Sequence, residues 1–265
     1  MATRRNKSGW RFLFRGCLGC FALFIGFIVL LGIIGSRLEN PAPDRPPEEM
    51  AEDFGDPIEI QLDEDLEGAA ASMARNFYFI FDGSGSMKSE PDGACQGDQR
   101  SSSKLAGAQW AVEQFLTKVP DDVNIGLFVF DREGRREVVP LGTGNRDTFL
   151  TAIRAVRPGG GTPLAPAIDF ATDRLVEQYK LQLGYGEYRL VVVTDGRADK
   201  IPEAARYAAH FGMPIYAIGL CIEDDHPLRR HAVSYRAADS FDDLAQGLEE
   251  TLAELPTFDA TEFEE

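Results

Sequence analysis

An aspartate and two serines stand at alternate positions in Asp82-Gly83-Ser84-Gly85-Ser86, immediately after the unbroken apolar run Phe77–Phe81. Two further loops carry side chains of the same chemistry: Gly159-Gly160-Gly161-Thr162-Pro163-Leu164, and Thr194-Asp195-Gly196 after the apolar Leu190–Val193. Asp82, Ser84, Ser86, Thr162 and Asp195 together offer two carboxylates and three hydroxyls. Hard oxygen donors with little net charge suit Mg2+ or Mn2+, which favour about six ligands near octahedral geometry and keep several waters. Ca2+ is the poorer match.

Spacing removes several competing readings of the first stretch. An EF-hand loop needs Gly at its sixth position and Glu at its twelfth, where this chain has Met87 and Gly93. No Gly-x-x-x-x-Gly-Lys-Ser/Thr phosphate loop is present, and a nucleophile elbow would need Gly where Asp82 stands. The dinucleotide fingerprint fails because Gly83 and Gly85 are followed by Lys88 where Gly is required. A helix cap with flexible glycines remains open for this stretch taken alone.

The elements that must position these loops read clearly. Strand-like runs lie at 77–81, 123–130, 137–141, 188–194, 215–220 and, more weakly, 234–237. Most are almost continuously apolar, as strands covered on both faces of a parallel sheet are. Between them, Leu105, Ala108, Val112, Phe115 and Val119 recur at helical steps behind the N-cap candidates Ser101–Ser103, and Pro120 ends that helix. Further helices are expected at 145–156, 164–180, 202–211 and 241–255. The short pair 123–130 and 137–141, joined through Arg132–Arg135, reads as a hairpin. The expected fold is therefore α/β: a three-layer, doubly wound, mostly parallel sheet with one antiparallel edge strand and helices on both faces. Ligands in such sheets gather outside the carboxyl ends of the strands, where all three loops lie.

In that order and on those elements, the three segments resemble the metal-ion-dependent adhesion site of the von Willebrand factor A family, over roughly residues 76–255. The resemblance implies that Ser84 and Ser86 ligate a divalent ion directly, Thr162 directly or through water, and Asp82 and Asp195 mainly through waters. With neutral hydroxyls as direct ligands, the ion keeps most of its charge and can accept a carboxylate from outside. The resemblance thus implies binding of a protein partner with an exposed Asp or Glu, and not an enzyme. A scaffold whose metal mainly stabilises the fold is the alternative, and a metal-dependent hydrolase a minor one. His210, His226 and His231 are expected in a helix and a late loop, away from the site, so no general base accompanies the ion. Cys95, just after the first loop, and Cys221, at the end of a strand, should face the same rim, and a Cys95–Cys221 disulfide is expected, two unpaired thiols being the alternative.

The front of the chain has a different character. Residues 16–36 carry no charge and are flanked by Arg15 and Arg37; at about 1.5 Å per residue they would cross roughly 30 Å of hydrocarbon as a helix. A cleaved signal peptide would have a shorter apolar core and a small-x-small site. Arg4, Arg5, Lys7, Arg11 and Arg15, with no acid among them, place residues 1–15 on the cytoplasmic side. Residues 37–75, rich in proline and acids, read as an extended tether; 76–255 as the folded domain; 256–265 as an acidic tail. The expectation is a single-pass membrane protein with its domain outside the cytoplasm, on the periplasmic side of a bacterial inner membrane. Setting those five basic residues aside leaves 22 basic against 43 acidic residues, a balance near −21. That balance argues against nucleic acid as a partner, since like charge repels it.

Overall fold

The computed structural model describes residues 58–63, 65–91, 95, 101–196, 198–222 and 226–253. The expected membrane helix at 16–36, with the segments 1–15, 37–57 and 256–265, lies outside the described residues. Among the described residues, no helix is long and apolar enough to cross a membrane.

Six strands form one sheet: β1 (Arg75–Asp82), β2 (Asn124–Asp131), β3 (Gly134–Gly142), β4 (Glu187–Thr194), β5 (Ile215–Leu220) and β6 (Ser234–Ala238). Their order is β3-β2-β1-β4-β5-β6. Every neighbouring pair is parallel except β2 with β3, the expected hairpin. Among the described residues, five helices accompany them, the last one following β6: α1 (Lys104–Leu116), α2 (Arg146–Ala155), α3 (Leu164–Leu181), α4 (Ile201–His210) and α5 (Phe241–Ala253). Short 3-10 turns at Gly85–Lys88 and Pro227–Arg230 were not anticipated from the sequence.

The two-residue period of β1 explains why the sheet has helices on both sides. Phe77, Phe79 and Phe81 point into one core with Val112, Phe115, Phe149 and Leu244, from α1, α2 and α5. Tyr78 and Ile80 point into the other with Ile168, Leu175, Ala204 and Ala208, from α3 and α4. Both faces are apolar because both are buried. The first core is centred on Phe79, whose ring lies 5.5 Å from Phe115 and 5.3 Å from Phe149, the latter edge to face.

The other end of the sheet differs from expectation. Residues 58–63 and 65–74 fall in the stretch read as an extended tether, yet they are tied to the domain. Ile58 N–H donates to His210 O at 2.6 Å and Ala70 N–H to Leu181 O at 2.8 Å, while the buried Gln182 amide donates to Ser72 O at 2.8 Å. Ile60 packs on the second core. The segment offers few large side chains, but its backbone satisfies one orphan carbonyl at the C-terminus of each of α3 and α4.

Candidate functional site

Strand order reverses at β1: the chain goes to β2 on one side and returns to β4 on the other. Such a switch point leaves a crevice at the carboxyl edge of the sheet, and β1 and β4 end there in Asp82 and Thr194. The three loops read from the sequence leave this edge and meet. Gly83 N–H donates to Phe130 O at 2.8 Å, Gly159 N–H to Gly83 O at 2.9 Å and Gly85 N–H to Gly160 O at 3.1 Å. The first bond ties the loop to β2, and the other two zip it to the glycine-rich loop. A side-chain carbon at Gly83 would lie 2.5 Å from Val156 Cγ1, so only glycine fits this close crossing.

Four of the five expected ligands are linked by hydrogen bonds. Asp82 accepts from Ser84 N–H at 2.8 Å through Oδ1 and from Thr194 Oγ1 at 2.6 Å through Oδ2. Ser86 Oγ donates to Asp195 Oδ1 at 2.7 Å. The Ser84 and Ser86 oxygens are 3.0 Å apart. Because the Ser86 proton goes to the carboxylate, Ser84 is the donor in that contact. Thr162 completes the set: a carbon on Gly196 would stand 3.3 Å from Thr162 Oγ1 and 4.0 Å from Asp82 Oδ2. Gly196 therefore keeps clear a small space that these oxygens border. Asp82, Ser84 and Asp195 are buried, whereas Ser86 is exposed and Thr162 half-buried, so the site opens to solvent on that side. An open depression of about 430 Å3 lined by Thr162, Ala198, Asp199 and Pro227 adjoins it.

Burial raises the Asp82 carboxyl to about 6, tempered by the hydrogen bonds from Ser84 and Thr194 and reinforced by the charge of Asp195. Asp195 Oδ2 is buried without a hydrogen bond and faces the ammonium of Lys104 at 3.4 Å. A cleared space beside the Thr162 hydroxyl and the Asp82 carboxylate, with an Asp195 oxygen still lacking a hydrogen bond, fits a hard divalent cation. Asp82, Ser84, Ser86, Thr162 and Asp195 are the residues that would hold it.

Three neighbours of the site were not foreseen. Thr194 positions Asp82 through its hydroxyl. Lys104 opens α1 behind the cap Ser103, which accepts from Ala106 N–H at 3.2 Å. A cation in the first turn opposes the helix dipole, and Asp195 offsets that cost. The third neighbour is a correction: His226, expected away from the site, is 1% exposed and its Nε2 lies 3.0 Å from Gly196 O. Its Nδ1 accepts from Leu228 N–H at 3.1 Å, so Nε2 carries the proton and donates. The ring also stacks on Tyr235, with centroids 5.7 Å apart. The late loop folds back over the carboxyl edge, a closure that local sequence does not reveal.

The Cys95–Cys221 disulfide is present, with Cα atoms 5.1 Å apart. Cys221 adopts a left-handed backbone, φ +56°, just after β5, and the bond joins that strand end to the chain that follows the first site loop.

The family model described as von Willebrand factor type A domain matches residues 77–197. Over 139 residues the chain is 26% identical to the uncharacterized protein YwmC of Bacillus subtilis, an alignment covering 48% of this chain and 56% of that protein. The chain thus spans little more than half the length of this curated relative. Among solved structures, an aerotolerance-related membrane protein from Bacteroides fragilis aligns with TM-score 0.50 at 15% identity, over 68% of this chain and 98% of the other. The pilus adhesin SpaC from Lactobacillus rhamnosus GG aligns with TM-score 0.52 at 17% identity, over 70% of this chain and 31% of SpaC. The PilB minor pilin of Streptococcus sanguinis, as its D319A mutant, gives TM-score 0.51 at 13% identity, over 69% of this chain and 62% of PilB. These likenesses speak to fold alone. It is residues 77–197, within the sheet and helices just described, that are similar to a von Willebrand factor type A domain.

Proposed function

We propose that this domain binds a protein partner through a divalent cation, Mg2+ or Mn2+, held by Asp82, Ser84, Ser86, Thr162 and Asp195, with the partner contributing a carboxylate. One observation supports the reading: Asp82, Ser84, Ser86 and Asp195, from two separate loops, are linked by hydrogen bonds, Thr162 of a third loop stands with Asp82 beside the space that Gly196 leaves, and Ser86 and Thr162 reach solvent. When bound, the cation supplies a Lewis-acidic coordination position for an external carboxylate. This chain's residues do the rest. Thr194 and the Ser84 amide orient Asp82, the serine hydroxyls present lone pairs, and Asp82 and Asp195 supply charge from behind. Domains of the von Willebrand factor A type often mediate protein interaction, which agrees with this reading.

The proposal includes no catalytic step. His226, the histidine that reaches the site, has both ring nitrogens committed to backbone partners, which leaves it unsuited to act as a general base. We further propose that residues 16–36 anchor the chain in a membrane, with the domain on the non-cytoplasmic side.

Thermal melts of the full chain in Mg2+ and in EDTA, for wild type and Asp82→Ala, test the reading, alongside binding of a labelled peptide with one Glu. A cation present at about 100 times its Kd stabilises the native state by roughly 2.7 kcal/mol, and the wild type should show such a gain while Asp82→Ala should not. The peptide should bind only in Mg2+. Stabilisation without metal-dependent peptide binding would favour a metal-stabilised scaffold, and no metal effect at all would end the proposal.

A further inference from the structure

The chain carries 27 basic and 43 acidic residues, so a basic group beside the site stands out. Arg132 and Arg135 flank the turn of the β2–β3 hairpin and Arg157 follows α2; all three are exposed. Among the described residues, none of the three has a carboxylate within ion-pair distance, whereas nearby Arg136 pairs with Asp131 and Glu133, and Arg154 with Glu113.

Their placement is fixed relative to the metal loops. Phe130 lies opposite Asp82 in register, so the hairpin turn is one strand away from the first loop. Arg132 N–H donates to Arg157 O at 3.0 Å, and the buried Asp131 carboxylate accepts from Arg157 N–H at 3.3 Å. A carbon on Gly159 would stand 3.0 Å from Arg132 Cβ. Arg132 and Arg157 are therefore attached to the same glycine-rich segment that delivers Thr162, and Arg135 stands across the hairpin, opposite Phe130 in register.

We propose that this arginine rim is a second recognition surface for an acidic segment of the protein partner. One carboxylate of the segment goes to the cation, and carboxylates further along it pair with Arg132, Arg135 and Arg157. The proposal rests on the metal-dependent reading above. Guanidinium forks match carboxylates in a bidentate geometry. A nucleic acid duplex or an anionic lipid surface would extend past the rim onto a predominantly acidic protein and be repelled, while a short acidic peptide segment needs no more than the rim.

Fluorescence anisotropy with the full chain tests this, using a peptide of alternating Glu and Gly and a Gly-Ser peptide of equal length with one Glu. In Mg2+ the wild type should prefer the multi-Glu peptide by about tenfold, each exposed ion pair contributing a factor of roughly 1.5–5. Arg132→Gln/Arg135→Gln/Arg157→Gln should bring the two peptides within about twofold while the Mg2+-induced melting shift stays the same. Arg157 also donates to Arg154 O and Val156 O, so Arg132→Gln/Arg135→Gln serves as a second variant that spares these bonds and should lose most of the preference. Equal wild-type affinity for the two peptides, or variants that keep the preference, would overturn the rim. So would arginine-dependent binding of phosphatidylserine vesicles or duplex DNA that exceeds peptide binding. Failure of the metal reading has another signature: Mg2+ leaves binding of the one-Glu peptide unchanged, while the arginine-dependent preference persists and supports the rim.

Discussion

The ammonium of Lys104 lies 3.4 Å from Asp195 Oδ2, with the two side chains 8% and 0% exposed. This is a buried ion pair in which one member belongs to the candidate metal site, so a fixed positive charge borders the place a cation would take. Breaking a buried pair by removing one member costs about 3–5 kcal/mol, because the remaining charge is left uncompensated. Lys104→Met should lower metal-free stability by roughly that amount. It should also enlarge the stabilisation by Mg2+, since a competing charge has gone. Urea unfolding in EDTA and in Mg2+ would show this, and an equal metal increment in variant and wild type would disprove the coupling.

Thr194 donates to the buried Asp82 carboxylate at 2.6 Å. Thr194→Val keeps the shape and removes the donor, which should cost about 1–3 kcal/mol in EDTA. Thr194→Ser retains the hydroxyl and should lose less. If Val and Ser prove equally destabilising, packing and not the hydrogen bond is the cause.

Asp131 titrates in the opposite direction from Asp82. Burial raises its carboxyl, but the Arg136 guanidinium and the Glu133 and Arg157 amides outweigh that and hold it below the ordinary carboxylate range. A carboxyl depressed on folding stabilises the protein above its unfolded pKa and loses that contribution as pH falls through the folded value. Unfolding free energies measured downward from pH 5 should therefore fall more steeply for wild type than for Asp131→Asn. Parallel curves would remove Asp131 as a source of acid sensitivity.

The Cys95–Cys221 bond closes a sequence separation of 126 residues, and restricting so long a loop in the unfolded chain stabilises the fold. Cys95→Ser/Cys221→Ser should lose about 2–5 kcal/mol. Calorimetry of the two proteins in EDTA measures it; matching melting temperatures would show that the bond contributes nothing.

Much of this architecture is written locally. Phe77–Phe81 and Leu190–Val193 announce buried strands because both their faces are covered, and the Asp82, Ser84, Ser86 spacing marks the loop that follows. Thr162 and Asp195 are legible through the company they keep, on loops that parallel strands must bring to one edge. Lys104 was not, because its partner is remote in sequence and a lysine at a helix start looks like surface. His226 was missed for a related reason: its contact with Gly196 depends on how a late loop closes. Residues 58–63 and 65–74 were read as a tether because they lack large apolar groups, whereas they are held mainly by backbone bonds to His210 and Leu181, which composition does not encode.

β1 starts beside that backbone-tied segment and ends in Asp82, paired in parallel with β2 on one side and β4 on the other through seven register positions each. Tension between the domain's entry and a partner gripped at Asp82 would run lengthwise down this central strand. It would load both hydrogen-bond ladders in shear, all rungs together, where a strand at the border of the sheet could be peeled away rung by rung.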